Sequence, residues 1–581
     1  MKVTRYVPIL GWLRRYDRSW LTFDVIAGLT LWGLVVPEGM AYAGIAGLPP
    51  QAGLYTLVVS LLVYALLGTS RHLSVGGTSA TAALLASSVA AALVASASAN
   101  ASDPTTYATY ASAFVLVTGL VFLVAGMARL GFITQFLSKP VMAGFVVGLA
   151  IFVTVGQLNK LFGVEKPEGN TVERLVGIVR ELPQADLATF VVGALALAAL
   201  FLLPRLSRRI PSGLVVLFGA IALSSALDLE GQGVAVVGSL PQGLPSPALP
   251  VVPLTDYLGM VLPAIGVLLV AFSESLGVAH EFAEKHGYEV DADQELNAHA
   301  FVNIGSGLFG GMLAAGGMSG SAVKEGAGAR TQVANLVAWV ATIVTLLFLT
   351  PVFASLPEAV LAALIIHAVW HILASRKLWF LRRAAPVEVW FGVLALAGVL
   401  FIDVLQGMMI GLLASLAFVI YRSSRPHLSS LGRVPGVAGA YSDLARHPEN
   451  APVPGVLVVR LDAPMYYANA LTARDDVKAM IREAASPPGA VVFDAEGQDD
   501  LDLTSAEVLK GLVGELQASG TAVYFADVHA PVLERARATG LLDAVGEGRV
   551  YPTVDLAVRE AEAHPVTRPS PPSRGGSREQ P

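Results

Sequence analysis

The sequence predicts an α-helical membrane protein that carries a small α/β domain at its C-terminal end. Hydrophobic residues make up 54% of the 581 residues and charged residues only 14%, whereas about 25% of the residues of a soluble protein are charged. Charged residues are also much sparser before residue 425 than after it. Apolar runs of bilayer length recur in the first part, and strand and helix patterns alternate in the second.

The apolar runs of the first part indicate about twelve to fourteen transmembrane spans from residue 23 to residue 421. The clearest runs are 187–203 and 404–421, each bounded by charged residues. Other runs lie near 112–128, 140–158, 212–227, 257–279, 332–350 and 387–402. Two further segments, 73–95 and 313–330, are interrupted by Gly and Ser and do not have the pattern of plain spans.

The positions of Lys and Arg predict the orientation of the chain in the bilayer. Basic residues cluster near Arg14, Arg71, Arg129 and Arg422, whereas the connections 96–108, 229–256 and 351–358 contain neither Lys nor Arg. Cytoplasmic loops are the ones enriched in basic residues. We therefore expect a multi-pass protein of the cell (inner) membrane whose N-terminus and C-terminal domain are cytoplasmic.

The C-terminal part alternates short apolar strands with amphipathic helices, which is typical of a small α/β domain. We predict strands at 456–461, 491–494 and 523–526, helices at 472–485, 505–518 and 531–539, and a last element near Val550. The predicted organisation is a cytoplasmic segment at 1–21, a transmembrane domain at 22–421, a linker at 422–450, the α/β domain at 451–563 and a disordered tail at 564–581.

The composition also excludes several classes of protein. The net charge of −6 and the lack of a long basic block argue against binding to nucleic acid. The chain contains no cysteine, which rules out disulfides and thiolate chemistry. No nucleotide-binding loop or metal-ligand pattern is present, so we expect neither an enzyme nor a cofactor or metal site. Residues 1–20 lack the apolar core of a cleavable signal peptide.

A series of motifs in the first part, in this order, resembles the sulfate permease (SulP) family, solute carrier family 26. The order continues through the later segments, and the C-terminal domain resembles the STAS domain of that family. The motifs are Asp24-x-x-Ala27-Gly28-Leu29-Thr30, Pro37-Glu38-Gly39-Met40-Ala41-Tyr42-Ala43, Leu48-Pro49-Pro50, Gly53-Leu54-Tyr55, Gly68 to Gly76, Glu281 to Lys285, Asn303-Ile304 and Ser319-Gly320-Ser321 running to Gln332.

The resemblance implies an architecture that hydropathy alone does not give. It implies fourteen transmembrane segments in two inverted repeats of seven, in which the first four spans of each repeat form a core domain and the others a gate domain. Spans three and ten are expected to be half-helices whose N-termini meet at the middle of the membrane, where the interrupted segments 73–95 and 313–330 fall. A homodimer is also implied.

Two facing half-helix N-termini form an anion site, since each offers free N–H groups and about half a positive charge. The candidate termini supply the predicted substrate-binding residues Gly77 and Thr78, and Met318, Ser319, Gly320 and Ser321. The alternative is that these small residues serve only helix packing. Gly320 departs from some relatives that have a basic residue there, so we expect a less positive pocket.

Ionisable residues inside apolar segments are costly and point to function. Glu38 and Glu274 are the candidate proton-coupling residues, and Tyr42, one turn after Glu38, is a candidate for the substrate pocket. Structural hydrogen bonding is the alternative for both acids, and plain packing is the alternative for Tyr42. In the STAS-like domain, Leu503 stands where the family pattern has a phosphoacceptor serine, which leaves Thr504 and Ser505 as weak substitutes.

The resemblance, together with these departures, leads to a functional hypothesis. We expect a secondary active transporter that moves a small (di)carboxylate or inorganic oxyanion, such as fumarate, sulfate or bicarbonate, together with protons by an elevator-like movement. An uncoupled anion exchanger or channel is the alternative, and a membrane-tethered regulator is a weaker one. The expected partners are the anion, protons, the lipid bilayer and a second copy of the chain.

Overall fold

The computed structural model describes residues 7–96, 103–132, 138–206, 212–373, 386–484 and 486–564. The chain divides after Ser415 into two compact units. The tail that the sequence predicts to be disordered lies, from residue 565 on, outside the described residues.

The first unit is helical, with two very short strands, as the apolar runs predict. A short helix at Ile9–Trp12 and two 3₁₀ turns precede the first long helix. The elements that follow are α1 (Leu21–Ile45), α2 (Gln51–Leu67), β1 (Ser74–Gly76), α3 (Ser79–Ala95), α4 (Pro104–Met127), α5 (Lys139–Phe162), α6 (Thr171–Glu181), α7 (Leu187–Leu206), α8 (Ser212–Leu227), α9 (Leu254–His286), α10 (Ala292–Leu308), β2 (Ala315–Gly317), α11 (Met318–Gly326), α12 (Val333–Val344), α13 (Glu358–Leu373), α14 (Val389–Phe401) and α15 (Val404–Ser423).

Membrane-spanning character is clear from length and composition. Within the described ranges, seven helices are long and apolar enough to cross a bilayer, and five shorter apolar helices accompany them. One of the seven is the continuous run Val333–Phe353, in which a π-helical turn at Thr345–Leu349 and a short helix at Thr350–Phe353 follow α12. Many large apolar side chains on these helices are exposed, which in a membrane is the surface that faces lipid. The count of fourteen segments remains a prediction.

The helices of the first unit pack in two groups. In one group, α4 packs on α3, α9 and α10, α1 packs on α11 and α12, and α2 packs on both α10 and α12. In the other group, α5 packs on α13 and α14, and α7 packs on α8 and α13. The first group unites the early helices of the two halves of the chain, as the predicted core domain does, and the second group corresponds to the predicted gate domain.

Glycines permit the closest helix crossings in both groups. A Cβ atom on Gly53 of α2 would lie 1.9 Å from the carbonyl oxygen of Gly39 in α1. A Cβ atom on Gly144 of α5 would lie 1.9 Å from the carbonyl oxygen of Gly392 in α14. Small residues of this kind let the backbones of membrane helices approach each other, so at these crossings no side chain fits.

The second unit contains one six-stranded sheet in the order β4-β3-β5-β6-β7-β8. The strands β5 to β8 are parallel, and β3 pairs antiparallel with both β4 and β5. The elements are β3 (Leu428–Arg433), β4 (Tyr441–Asp443), β5 (Val456–Leu461), α16 (Ala470–Glu483), β6 (Ala490–Asp494), α17 (Leu503–Ala518), β7 (Ala522–Ala526), α18 (Ala530–Ala538), α19 (Leu541–Val545), β8 (Val550–Tyr551) and α20 (Val554–Ala563).

The second unit differs from the sequence prediction at its two ends. The strands β3 and β4 lie inside the segment predicted to be a linker and form one edge of the sheet. The helix α20 was not predicted, and it packs on β5, β6 and β7. Both faces of the sheet are therefore covered, with α16 to α19 on one face and α20 on the other.

The position at which the family pattern has a phosphoacceptor serine is exposed, and here it is occupied by a leucine. Leu503 is the first residue of α17 and is 64% exposed. Its neighbour Ser505 is fully buried, and its hydroxyl donates a hydrogen bond of 3.0 Å to Asp502, the N-cap of the helix. Of the two weak substitutes, only Thr504 has an exposed side chain.

We predict that the glycine crossing of α5 and α14 is needed for stability. In Gly144→Ala, the new methyl group overlaps the carbonyl oxygen of Gly392, and overpacking of this kind costs about 1–3 kcal/mol. The melting temperature of the purified protein should therefore fall. Gly156→Ala is the matched control on the same helix, because a Cβ atom there meets nothing within 4 Å. Equal melting temperatures of the two variants would contradict this account.

Candidate functional site

A short pair of strands brings two helix N-termini to the same point in the first unit. β1 and β2 are antiparallel, with Ser74 opposite Gly317 and Gly76 opposite Ala315. α11 begins directly after β2, and α3 begins three residues after β1. The two segments that the sequence marks as interrupted therefore pair with each other, and each leads into a helix.

The hydroxyl group of Ser321 fixes this strand pair from within α11. It accepts a hydrogen bond of 2.9 Å from the backbone N–H of Ser74 and donates one of 2.6 Å to the carbonyl oxygen of Gly317. Ser321 is fully buried. Its side chain therefore joins the two strands, which differs from the direct substrate contact that the sequence predicts.

Two further buried polar side chains hold the chain of β2 in place. The hydroxyl of Ser275 in α9 accepts a hydrogen bond of 2.7 Å from the N–H of Gly316. Asn303 in α10 accepts one of 2.9 Å from the N–H of Ala314 and donates one of 3.0 Å to the carbonyl oxygen of the same residue. Backbone that departs from helix inside a membrane must find such partners, and here neighbouring helices supply them.

The two helix N-termini differ in how their N–H groups are satisfied. Thr78 caps α3, and its hydroxyl accepts a hydrogen bond of 3.1 Å from the N–H of Thr81. The N-cap of α11 is Gly317, which has no side chain that could accept such a bond. The first N–H groups of α11 are therefore available to a bound anion, which a helix N-terminus attracts.

The two termini line one cavity of about 100 Å³. Eight of the nine residues predicted from the sequence are among its lining residues, and only Ser321 is behind the wall. These eight are Glu38, Tyr42, Gly77, Thr78, Glu274, Met318, Ser319 and Gly320. The second packing group contributes Ala368 and Val369 of α13 to the same cavity, so the cavity lies where the two groups of helices meet.

The two acidic residues reach the cavity from different helices of the first group. Glu38 belongs to α1 and Glu274 to α9, and both side chains are half-buried. The hydroxyl of Ser319 donates a hydrogen bond of 3.3 Å to the carboxyl group of Glu38. The structure thus places a carboxyl group beside the N-terminus of α11, where the N–H groups favour negative charge.

A buried lysine lies one helical turn beyond the cavity, and the sequence analysis did not identify it. Lys324 follows Gly320 by four residues in α11 and is 0% exposed. Its Nζ atom donates hydrogen bonds of 3.0 Å to the carbonyl oxygen of Leu73 and 2.9 Å to the side chain of Asn335. The helix α11 has no basic residue at position 320, but it has Lys324 one turn later on the same face. Lys324 does not line the cavity.

Comparison with known proteins adds independent information. A family profile described as "Sulfate permease family" matches residues 21–395, and a profile described as "STAS domain" matches residues 447–557. A probable sulfate transporter of Mycobacterium tuberculosis is 34% identical over 557 residues, which cover 95% of this chain and 98% of that protein. Human solute carrier family 26 member 6 is 34% identical over 496 residues, which cover 82% of this chain and 65% of that protein.

Solved structures with the same fold include two described as anion or bicarbonate transporters. Murine solute carrier 26 family member A9, an anion transporter in the inward-facing state, matches with a TM-score of 0.89 and 24% identity, over 97% of this chain and 95% of that one. The transmembrane domain of a cyanobacterial bicarbonate transporter matches with a TM-score of 0.59 and 23% identity, over 68% of this chain and 98% of that one.

We predict that Ser321 is required to hold the strand pair together. In Ser321→Ala the N–H of Ser74 loses its partner, and a buried donor without a partner costs about 1–3 kcal/mol. The melting temperature should fall. Ser319→Ala is the control, because its only described hydrogen bond is a long one to Glu38, and its melting temperature should stay close to that of the wild type. A Ser321→Ala protein as stable as Ser319→Ala would refute this role.

Proposed function

Because the chain belongs to the sulfate permease family of anion transporters, we propose that it is a secondary active transporter that moves a small oxyanion together with protons. The observation that carries this proposal is the sharing of one cavity by two helix N-termini and two carboxyl groups. We propose Gly77, Thr78, Met318, Ser319, Gly320 and Tyr42 as the substrate-binding residues, Ser321 as a residue that positions them, and Glu38 and Glu274 as the proton-coupling residues.

The charge balance of the cavity supports coupling to protons. Two helix N-termini together offset about one negative charge. If both Glu38 and Glu274 were ionised, they would already exceed this before any anion entered. At a separation of about 6 Å and an effective dielectric constant of about 20, each repulsion between unit charges amounts to about 3 kcal/mol, which weakens binding roughly 100-fold. An anion therefore binds best when these acids carry protons.

The size of the cavity and the names of the relatives support a compact anion. A volume of about 100 Å³ accommodates an anion of a few heavy atoms rather than a long organic acid. The similar proteins include ones named as sulfate and bicarbonate transporters. Sulfate and bicarbonate are thus the first candidates for the substrate, and fumarate is the first organic one.

The position of the cavity between two packing groups supports an elevator-like mechanism. All of the substrate-binding and coupling residues named above lie on helices of the first group or directly before α3, and α13 of the second group lines the cavity as well. Movement of the first group against the second would carry the whole site with it. In the membrane we propose a homodimer of the inner membrane with the N-terminus and the STAS domain in the cytoplasm, as the basic residues predict.

The first test separates proton coupling from uncoupled exchange. The purified protein in liposomes is screened with labelled sulfate, bicarbonate and fumarate under a pH gradient of one unit, with the membrane potential clamped. One proton per anion sustains up to about tenfold accumulation. Glu38→Gln keeps a neutral side chain of the same shape, so it should retain exchange but lose accumulation.

The control for this test is an acid on the helix that carries Glu274. Glu284 is exposed near the end of α9 and does not line the cavity, so Glu284→Gln should accumulate the anion as the wild type does. If accumulation in Glu38→Gln equals that of the wild type, coupling belongs to another group, and Glu274→Gln then shows whether it is the second acid. Accumulation in neither the wild type nor the variants would favour the uncoupled exchanger.

The second test addresses the movement of the first group of helices against the second by disulfide crosslinking. Because the chain contains no cysteine, only the introduced cysteines can form a disulfide. The side chain of Leu214 in α8 lies 2.7 Å from the position of a Cβ atom on Gly33 in α1. Oxidation of the double variant Gly33→Cys/Leu214→Cys should stop transport, and a reductant should restore it. The control pair Gly305→Cys/Val59→Cys lies within the first group and should transport equally in both redox states. Full transport by the oxidised Gly33–Leu214 pair would contradict the elevator.

A further inference from the structure

We propose that a second cavity of the first unit binds the headgroup of an anionic membrane phospholipid. This cavity, which we name the N-terminal cavity, has a volume of about 440 Å³. It is bounded by the segment 10–20 before α1, by the connection 68–71 after α2, and by residues 331–332 before α12. It shares no lining residue with the anion cavity.

Two arginines give the N-terminal cavity its positive charge. Arg14 and Arg71 both line it, and both are exposed. Among the described residues, neither guanidinium group has a carboxylate within 4.0 Å, although that of Arg71 lies over the ring of Tyr288 at 5.4 Å. Guanidinium groups bind phosphate through paired, charge-assisted hydrogen bonds. The cavity therefore has two cationic groups that a phosphate diester would satisfy.

The wall of the cavity is polar and includes a buried acceptor without a partner. Ser70, Thr331 and Gln332 line it and are between 1% and 5% exposed. The Nε2 atom of Gln332 donates hydrogen bonds to the carbonyl oxygens of Ser70, at 2.6 Å, and Leu73, at 3.0 Å. Its Oε1 atom is buried and accepts none within the described part of the chain. The polar wall that these three residues form suits a headgroup that carries hydroxyl groups.

The wall is also held rigidly, which is what a specific site needs. The carboxyl group of Glu295 accepts hydrogen bonds from the backbone N–H of Thr69, at 2.6 Å, and of Ser70, at 3.3 Å. Glu295 is 1% exposed. The side chain of Gln332 holds the carbonyl groups of Ser70 and Leu73. Since the connection 68–71 is fixed by buried side chains on both sides, little order has to be gained on binding.

The surroundings of the cavity indicate a lipid rather than a soluble phosphate. Trp12 and Trp20 line the cavity, and tryptophan is enriched where a membrane meets water. Leu13 is 50% exposed and Leu21 is 49% exposed on the same segment. An apolar surface beside a cationic pocket suits a molecule that has acyl chains below a phosphate. A phospholipid with an anionic headgroup that carries hydroxyl groups, as phosphatidylglycerol does, matches all of these features.

The test uses the full-length protein, delipidated in detergent and titrated with phosphatidylglycerol or phosphatidylcholine, with bound lipid counted by native mass spectrometry. The wild type should bind phosphatidylglycerol in preference. The double variant Arg14→Gln/Arg71→Gln should lose affinity by at least about tenfold, since two charge-assisted contacts are removed. Arg205→Gln is the control, because Arg205 is also an exposed, membrane-proximal arginine but lies outside the cavity, and its affinity should match that of the wild type.

Three results would overturn the proposal. The first is equal binding of the two lipids by the wild type. The second is an unchanged affinity in the double variant, whose folding is checked by its melting temperature. The third is displacement of the lipid by inorganic phosphate at millimolar concentration, which would assign the cavity to a soluble phosphate.

Discussion

The pairing of β1 with β2 is the constraint on which the proposed anion site depends. Each strand is only three residues long, and together they make the only described sheet in the first unit. Without this pairing, the N-termini of α3 and α11 would have no reason to meet, because the two segments are more than 200 residues apart in the sequence. Burying the polar side chains of Ser275, Ser321 and Asn303 costs desolvation free energy. Their hydrogen bonds to the backbone in and directly before the strands compensate for this cost.

Around this strand pair, the positive charge comes from the backbone and the negative charge comes from side chains. The backbone of α11 supplies the positive end of a dipole, and the buried amino group of Lys324 lies behind it, where it donates hydrogen bonds to Leu73 and Asn335. The carboxyl groups are on α1 and α9, and that of Glu38 lies beside the N-terminus of α11. In the mechanism proposed above, such a site is nearly neutral only in some protonation states, so that the binding of an anion and the binding of protons would depend on each other.

The sequence predicted the broad fold well because its signals are strong and repeated. Apolar runs predicted most of the helices, and the continuous apolar segments 456–461 and 523–526 predicted the central strands of the α/β sheet. The interrupted segments, once compared with a known family, also pointed to five of the residues that line the cavity. Glu38 and Glu274 were found as acids inside apolar segments, and Tyr42 by its place one turn after Glu38.

The remainder could not be predicted because it depends on contacts between distant residues. The bracing roles of Ser275, Ser321 and Lys324 arise from partners in other elements, and no local pattern encodes them. β3 was missed for a different reason. Both faces of its sheet are covered, so its buried positions do not alternate, and its sequence, LSSLGR, has few of the residues that favour strands.

The pairing of β3 with β5 determines at which residue a fragment that contains only the second unit has to begin. β3 pairs with β5 at four positions, from Leu428 opposite Leu461 to Leu431 opposite Val458. A soluble fragment that starts at Ala451 lacks this strand and leaves the outer edge of β5 as a row of free N–H and carbonyl groups, which is a template for aggregation. Recombinant work on the soluble half therefore has to begin its polypeptide ahead of His427, within what looks from the sequence like dispensable connecting chain.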